Sequence, residues 1–268
     1  MGVESFQDQV LEDEGLGKRE GGVEDLFQEL HEHGINTMGS LIIGWDGQTR
    51  ESAATDAREF IALNPTFYQV VPLHPAPGTP LWDRLKNEER LLDMDFLKSE
   101  SVGDFTFSLK NFSIGQAKAM VSDTYSGLVK EGGPWPFRLA ENLLRGHLNL
   151  ISAGSLIYRQ RAAAYWKMLL PILPLVLLSG FMFRGQPFQE RHREFRRSLR
   201  RYSPFRYHLA MATGLAFWPV LMLISWWGRL MYRLNPHGDQ PNKIRRVYPA
   251  SARFLSRDQG GIEIQSVV

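Results

Sequence analysis

The residue types that most often carry catalysis are sparse in this sequence of 268 residues. It contains no cysteine, which excludes disulfides, a cysteine nucleophile, thiolate-bound zinc and any iron–sulfur cluster held by the chain's own side chains. It also lacks a phosphate-binding glycine loop, a serine elbow and a zinc motif. Near a predicted helix end, His31 and His33 stand two residues apart and do not share a helix face. We therefore predict that they form a solvated pair.

Charge is distributed very unevenly along the chain. Residues 1–100 carry 8 Lys and Arg against 20 Asp and Glu, whereas residues 101–268 carry 23 against 9. Eight arginines lie between residues 184 and 206, where the only acids are Glu190 and Glu194. A basic region with so few acids predicts a phosphate-bearing partner. An anionic membrane surface is favoured over nucleic acid, because the sequence shows no recognisable nucleic-acid-binding fold.

The elements that would position any site alternate between helix and strand over the first ninety residues. Helical spacing predicts helices over residues 25–34, 49–63 and 81–92, and apolar β-branched runs predict strands over 35–44 and 67–73. This alternation is typical of βα units on a parallel sheet. Two further helices are predicted over residues 114–129 and 137–150.

Two uncharged segments follow, residues 168–183 and 209–228. The first is short for a bilayer and contains Pro171 and Pro174, whereas the second reaches the required length of about 20 residues. Basic residues flank both segments and fill the connection, where Phe195, Leu199 and Tyr202 recur at helical spacing. This pattern favours an in-plane or re-entrant attachment to the cytoplasmic face of an anionic membrane. A buried helical hairpin is the alternative. The side chains predicted to meet the membrane are Trp218, Trp226, Trp227, Arg196, Arg197, Arg200 and Arg201.

Four segments are predicted on these grounds. They are a β/α region (1–100), a helical extension (101–160), a hydrophobic membrane-associated hairpin with an arginine-rich connection (161–235) and a polar tail (236–268).

Several short motifs occur in a fixed order within the first segment. The chain opens with Gly-Val-Glu-Ser at residues 2–5, continues with Gly34-Ile35 and the glycine-flanked run GSLIIG at 39–44, and then has Thr-Arg-Glu at 49–51. The run PLHPAPGTPL follows at 72–81. In this order and spacing, residues 1–95 resemble the second half of a radical S-adenosylmethionine barrel, most closely that of members with a cobalamin-binding domain. The resemblance implies an α/β fold: the C-terminal half of a (β/α) barrel, followed here by a mainly α-helical region with two hydrophobic helices.

The resemblance also implies where a cofactor would lie. Glu4 and Ser5 would contact S-adenosylmethionine near its amino and ribose groups, and Ile43 and Gly44 would flank its adenine or ribose. Leu73 and His74 would face the substrate. Three alternatives stay open: Glu4 as a solvated acid, Gly44 as a turn residue and His74 as an exposed or structural side chain.

The family's [4Fe-4S] cluster and cobalamin cannot be bound by this chain alone, because it has neither the three cysteines nor a cobalamin domain. Activity would therefore need a partner chain that supplies the first half of the barrel. On this basis the chain is predicted to be the cluster-lacking part of such an enzyme, with an apolar or lipid substrate at a membrane. The alternative is a non-catalytic membrane-binding remnant or scaffold.

Overall fold

The computed structural model describes residues 2–13, 22–92, 105–234, 254–258 and 261–265. Its strands are β1 (Gly2–Glu4), β2 (Met38–Ile43), β3 (Phe67–Pro72), β4 (Phe254–Asp258) and β5 (Gly261–Gln265). Its helices are α1 (Asp8–Asp13), α2 (Val23–Glu32), α3 (Arg50–Leu63), α4 (Pro80–Asn87), α5 (Ile114–Gly132), α6 (Trp135–Leu150), α7 (Leu156–Leu169), α8 (Leu173–Met182), α9 (Gln186–Tyr202) and α10 (Pro204–Leu234).

Strands β1, β2 and β3 form a parallel sheet in sequence order, as the alternation of helix and strand predicts. Met38 lies opposite Phe67 and Ile43 opposite Pro72, so β2 and β3 pair along their full length. The chain is thus an α/β structure that is mostly helical, with a small parallel sheet. A half-barrel of the radical S-adenosylmethionine type remains a prediction.

Local signals account for the ends of the helices around this sheet. The Thr49 side chain accepts a hydrogen bond from the Ser52 amide, and Ser52 caps the Thr49 amide in return, which fixes the start of α3. Asn64 adopts the left-handed conformation that ends α3. After α2, Gly34 has a φ of +70° and its backbone lies against Gly146 of α6, where a β-carbon on either residue would collide.

The apolar core of the β/α part lies between the sheet and helices α2, α3 and α5. Leu41 and Ile43 alternate inward from β2, and they are completely buried against Phe60 of α3 and Leu128 of α5. The sheet therefore has a packed face, and the ends of its strands are held at fixed positions.

Helices α6 to α9 and the first turns of α10 form a second core. At its centre the Phe137 ring lies 5.0 Å from Phe188 and 5.7 Å from Phe195, measured between ring centroids. Leu199 and Leu177 are completely buried in the same cluster. Phe195 and Leu199, which recur at helical spacing among the arginines, therefore pack on protein and do not face a membrane.

Two helical stretches are long and apolar enough to cross a membrane by length and composition, Leu156–Met182 and Pro204–Met231. The first is interrupted at Leu170–Ile172 by a 3₁₀ turn, where the prolines predict a break. It is also the more buried of the two, because Leu169, Leu173 and Leu177 pack into the core. Only 39% of this stretch is buried, so membrane attachment and a buried hairpin both stay predictions for it.

The chain divides into two compact units, residues 1–217 and 218–268. In the second, β4 and β5 pair antiparallel. The rest of the predicted tail lies outside the described residues, as does the boundary predicted at residue 100. The boundary predicted at residue 160 falls within α7.

Candidate functional site

The residues predicted to bind the cofactor or to face the substrate lie at one edge of the sheet, the edge formed by the carboxyl ends of its strands. Glu4 ends β1, Ile43 ends β2, and Leu73 follows β3 directly. The Leu73 amide donates a hydrogen bond to the Ile43 carbonyl at 2.8 Å, which continues the pairing past the last residue of β3. Ligands of open α/β sheets bind at this kind of edge.

A single buried carboxylate, Asp56 of α3, organises this edge. One of its oxygens accepts hydrogen bonds from the Ser5 hydroxyl at 2.8 Å and the Gln48 side-chain amide at 3.0 Å. The other accepts from the Phe6 backbone amide at 2.9 Å and the Gln7 side-chain amide at 3.3 Å. Asp56, Ser5 and Gln48 are completely buried. Asp56 thus ties the end of β1 to α3 and holds Ser5, whose hydroxyl is already engaged.

The same carboxylate acts on Gly44 through Gln48. The Gln48 side chain donates to Asp56 and accepts a hydrogen bond from the Gly44 amide at 2.9 Å. Gly44 has a φ of +113°, a conformation that favours glycine, and a β-carbon there would come within 3.1 Å of Phe105 and Leu109. The interpretation of Gly44 as a turn residue accounts for both observations. A contact between Gly44 and adenine or ribose stays a prediction.

Glu4 has an unusual backbone conformation. Its φ is +59°, and the Ser5 amide donates to the Val3 carbonyl at 2.7 Å, which closes a three-residue turn around Glu4. A turn of this type with positive φ is rare and strained. The side chain of Glu4 is half-buried. Strain of this kind at the end of a strand is typical of binding and catalytic positions, and a carboxylate can accept hydrogen bonds from an ammonium group or hydroxyls.

Leu73 and His74, predicted to face the substrate, separate in the structure. Leu73 is buried in an apolar cluster with Val10, Trp45, Leu85 and Phe107, whereas His74 is exposed. Within the cluster, the Trp45 indole N–H is buried and has no hydrogen-bond partner among the described residues. A buried donor without a partner is uncommon in proteins. Trp45 therefore places a buried indole N–H next to the carboxyl edge of the sheet.

An ionic cluster at Asp46 holds the residues around position 110 against the carboxyl edge of the sheet. Arg90 donates to both Asp46 oxygens at 2.7 and 2.9 Å, and Lys110 approaches the same carboxylate at 3.1 Å. Partial burial opposes the charged form of Asp46, but the hydrogen bonds from Arg90 and Lys110 outweigh it and lower the pKa of the carboxyl. Asn111 also donates to the carbonyls of Asp46 and Gln48.

The opposite edge of the sheet contains a buried polar network in which His31 takes part. The His31 Nε2 atom lies 2.8 Å from the Thr37 hydroxyl, and the Asn142 side chain donates to the Thr66 hydroxyl at 3.0 Å. Burial, with a contribution from Arg145, lowers the pKa of His31 to about 4. The prediction of a solvated pair is therefore wrong for His31, which is buried, and only His33 contacts solvent.

Asp56, Gln48 and Trp45 were not among the residues predicted for the site. Asp56 lies on the inward face of α3, which it shares with Ala53, Phe60 and Leu63. An acidic residue on the apolar face of a helix needs buried partners. This pattern is a signal in the sequence that could have identified Asp56.

The residues predicted to meet a membrane are mostly exposed. Arg197, Arg200 and Arg201 are exposed on α9, and Arg196 is half-buried. In α10, Trp226 and Trp227 are exposed and Trp218 is half-buried.

Comparison with known proteins gives one distant relative of interest. The chain is 28% identical over 125 residues to an uncharacterized methyltransferase of Pyrococcus horikoshii, and the match covers 47% of this chain. It covers 27% of the relative, so the chain spans about a quarter of that protein's length. No protein-family profile matches the sequence. The chain is thus distantly similar to part of a protein named as a methyltransferase.

Proposed function

We propose that the β/α part of this chain is the carboxyl-terminal half of the barrel of an S-adenosylmethionine-dependent methyltransferase of the radical type. The observation that carries the proposal is the distant similarity to an uncharacterized methyltransferase. It is supported by the parallel sheet, whose carboxyl edge carries a strained acidic residue, Glu4, and a buried donor, Trp45, that has no partner within the described ranges.

The residues at this edge fit S-adenosylmethionine in part. In this proposal the Glu4 carboxylate accepts hydrogen bonds from the ammonium or ribose hydroxyls, and the Trp45 indole donates to a ligand acceptor. Asp56 holds the two strand ends at a fixed separation. When bound, S-adenosylmethionine would supply the methyl group.

The chain's own side chains do not fit the iron–sulfur cluster of the radical enzymes. The sequence has no cysteine to ligate iron. Any reaction that needs the cluster would require a second polypeptide segment with a Cys-x-x-x-Cys-x-x-Cys motif.

Equilibrium dialysis of the full chain against radiolabelled S-adenosylmethionine tests the binding step. We expect Glu4→Gln to weaken binding by about tenfold, the effect of losing one charge-assisted hydrogen bond. Asp123→Asn removes an exposed acid from α5 and should leave binding unchanged. Absence of binding, both by the chain alone and together with a cysteine-bearing upstream segment, would refute the proposal.

A second candidate is a non-catalytic membrane-binding module. The observation that favours it is the exposure of large apolar side chains on α10, among them Phe205, Leu215 and Phe217. In this candidate the basic residues keep the attached face on the cytoplasmic side. Flotation of the chain with phosphatidylcholine vesicles, in the absence of any S-adenosylmethionine binding, would favour this function over the first.

A further inference from the structure

Helix α9 and the start of α10 form an open groove with an exceptionally basic lining. The groove has a volume of about 560 Å³, and its lining consists of Arg193, Arg196, Arg197, Arg200, Arg201 and Tyr207. The five arginines recur at helical spacing and therefore share one side of α9.

The core fixes the direction in which these arginines point. The other side of α9 carries Phe188, His192, Phe195 and Leu199, all buried. The Phe188 and His192 rings lie 5.0 and 5.6 Å from the Phe137 ring of α6. A rotation of α9 that buried the arginines would expose this apolar side, so the basic side stays outward.

The positive charge of the groove is almost unneutralised. Arg196 donates to the Tyr207 hydroxyl at 3.1 and 2.7 Å, and this partner is uncharged. Arg193 approaches Glu190 only at 3.9 Å, with both side chains largely exposed. In the part of the chain that the structure describes, Arg197, Arg200 and Arg201 form no ion pair. Guanidinium groups clustered in this way bind phosphate oxygens strongly, since each can donate two parallel hydrogen bonds.

Exposed apolar side chains lie on α10, the helix that forms one side of the groove. Phe205 is 72% exposed and Leu209 is 48% exposed, on the same turns of α10 that carry Tyr207. Residues two positions apart point to roughly opposite sides of a helix, so Phe205 and Leu209 lie across α10 from Tyr207, about one helix width of 10–12 Å away. A free phosphate would satisfy the arginines alone, whereas a phospholipid also offers an apolar phase for these two side chains.

We propose that this groove is a binding site for the phosphate headgroup of an anionic phospholipid. The proposal rests on the second candidate function, a membrane-binding module, and adds a specific binding site to it. The arginines on α9 bind the headgroup, while Phe205 and Leu209 enter the apolar edge of the bilayer.

Flotation of the full chain with vesicles tests this site. One set of vesicles contains phosphatidylcholine alone, and the other contains phosphatidylcholine mixed with phosphatidylglycerol. The variant Arg197→Gln/Arg201→Gln removes two charges without touching the Arg196–Tyr207 hydrogen bonds. We expect it to weaken binding to the anionic vesicles by about 30-fold, from roughly fivefold per arginine at an anionic surface. The control Arg50→Gln/Arg58→Gln removes two charges from α3 and should bind as the wild-type chain does.

The outcomes distinguish a headgroup site in the groove from membrane association in general. Equal binding of the wild-type chain to both kinds of vesicle would leave membrane association intact and overturn the headgroup site. Absence of binding to either would overturn both. Competition by soluble glycerol phosphate alone, without vesicle binding, would identify a free phosphate ligand and overturn the lipid site. Tighter binding to a single-stranded RNA, weakened by the same two substitutions, would identify a nucleic-acid site instead.

Discussion

Replacing Asp56 by asparagine tests whether one buried carboxylate holds the candidate site together. Its two oxygens each accept two hydrogen bonds, from four donors in all. In either orientation, an asparagine amide keeps one accepting oxygen and turns an NH₂ group towards two donors. Two hydrogen bonds to a charged acceptor are lost, at about 1.5–3 kcal/mol each. Removing the buried charge offsets part of this loss, so we expect Asp56→Asn to lower the free energy of unfolding by about 3 kcal/mol.

Urea denaturation of wild type and variant, followed by circular dichroism, measures this change. Asp123→Asn is the matched control, because it neutralises an exposed acid on α5, and we expect a change below about 0.5 kcal/mol. Ser5→Ala removes only one of the four donors. Its change in the free energy of unfolding should therefore lie between those of Asp56→Asn and Asp123→Asn. A change at Asp56 no larger than that of the control would refute the reasoning that this carboxylate ties β1 to α3.

Three further predictions follow from single residues. Because burial depresses the pKa of His31 to about 4 from an ordinary 6.5, the unfolded chain binds its proton first, and stability falls as pH drops from about 6.5 to 4. Between pH 7 and 5 this loss is about 2 kcal/mol, and urea denaturation should show that it is absent from His31→Gln but present in His33→Gln. Gly44→Ala should lower the free energy of unfolding by about 1–3 kcal/mol, measured in the same way, because of its φ of +113° and the nearby Phe105. Arg138→Met should lower it by about 3 kcal/mol, because it strips buried donors from the carbonyls of Gly133, Pro65 and Leu128.

In the β/α part, sequence patterns correctly predict those elements whose bounds are determined by neighbouring residues. Thr49 and Asn64 mark the two ends of α3, and the apolar run before Gly44 forms β2 as predicted. What the sequence alone could not give is the pairing of distant polar groups. Ser5 and Asp56 are 51 residues apart, and nothing in the spacing of either residue identifies its partner.

The arginine-rich helix shows a second limit of sequence patterns. Its periodicity correctly predicts a helix with an apolar side containing Phe195 and Leu199. An apolar side, however, packs equally well on lipid or on protein, and only the fold shows that Phe137 covers it. The exposed side of α9 is therefore the basic one, and its apolar side belongs to the protein core.

The two candidate sites are compatible because the helical part joins the sheet at the edge away from Glu4. Asn142 and Arg138 of α6 contact Thr66 and Pro65, just before β3, and Asn142 also contacts the Ile35 carbonyl before β2. Strands of six residues separate these contacts from the carboxyl edge by about 20 Å. Arg138→Met should therefore lower stability without a selective effect on binding of S-adenosylmethionine, whereas substitutions at Asp56 should affect both. This difference separates a residue that joins the two parts from one that positions the site.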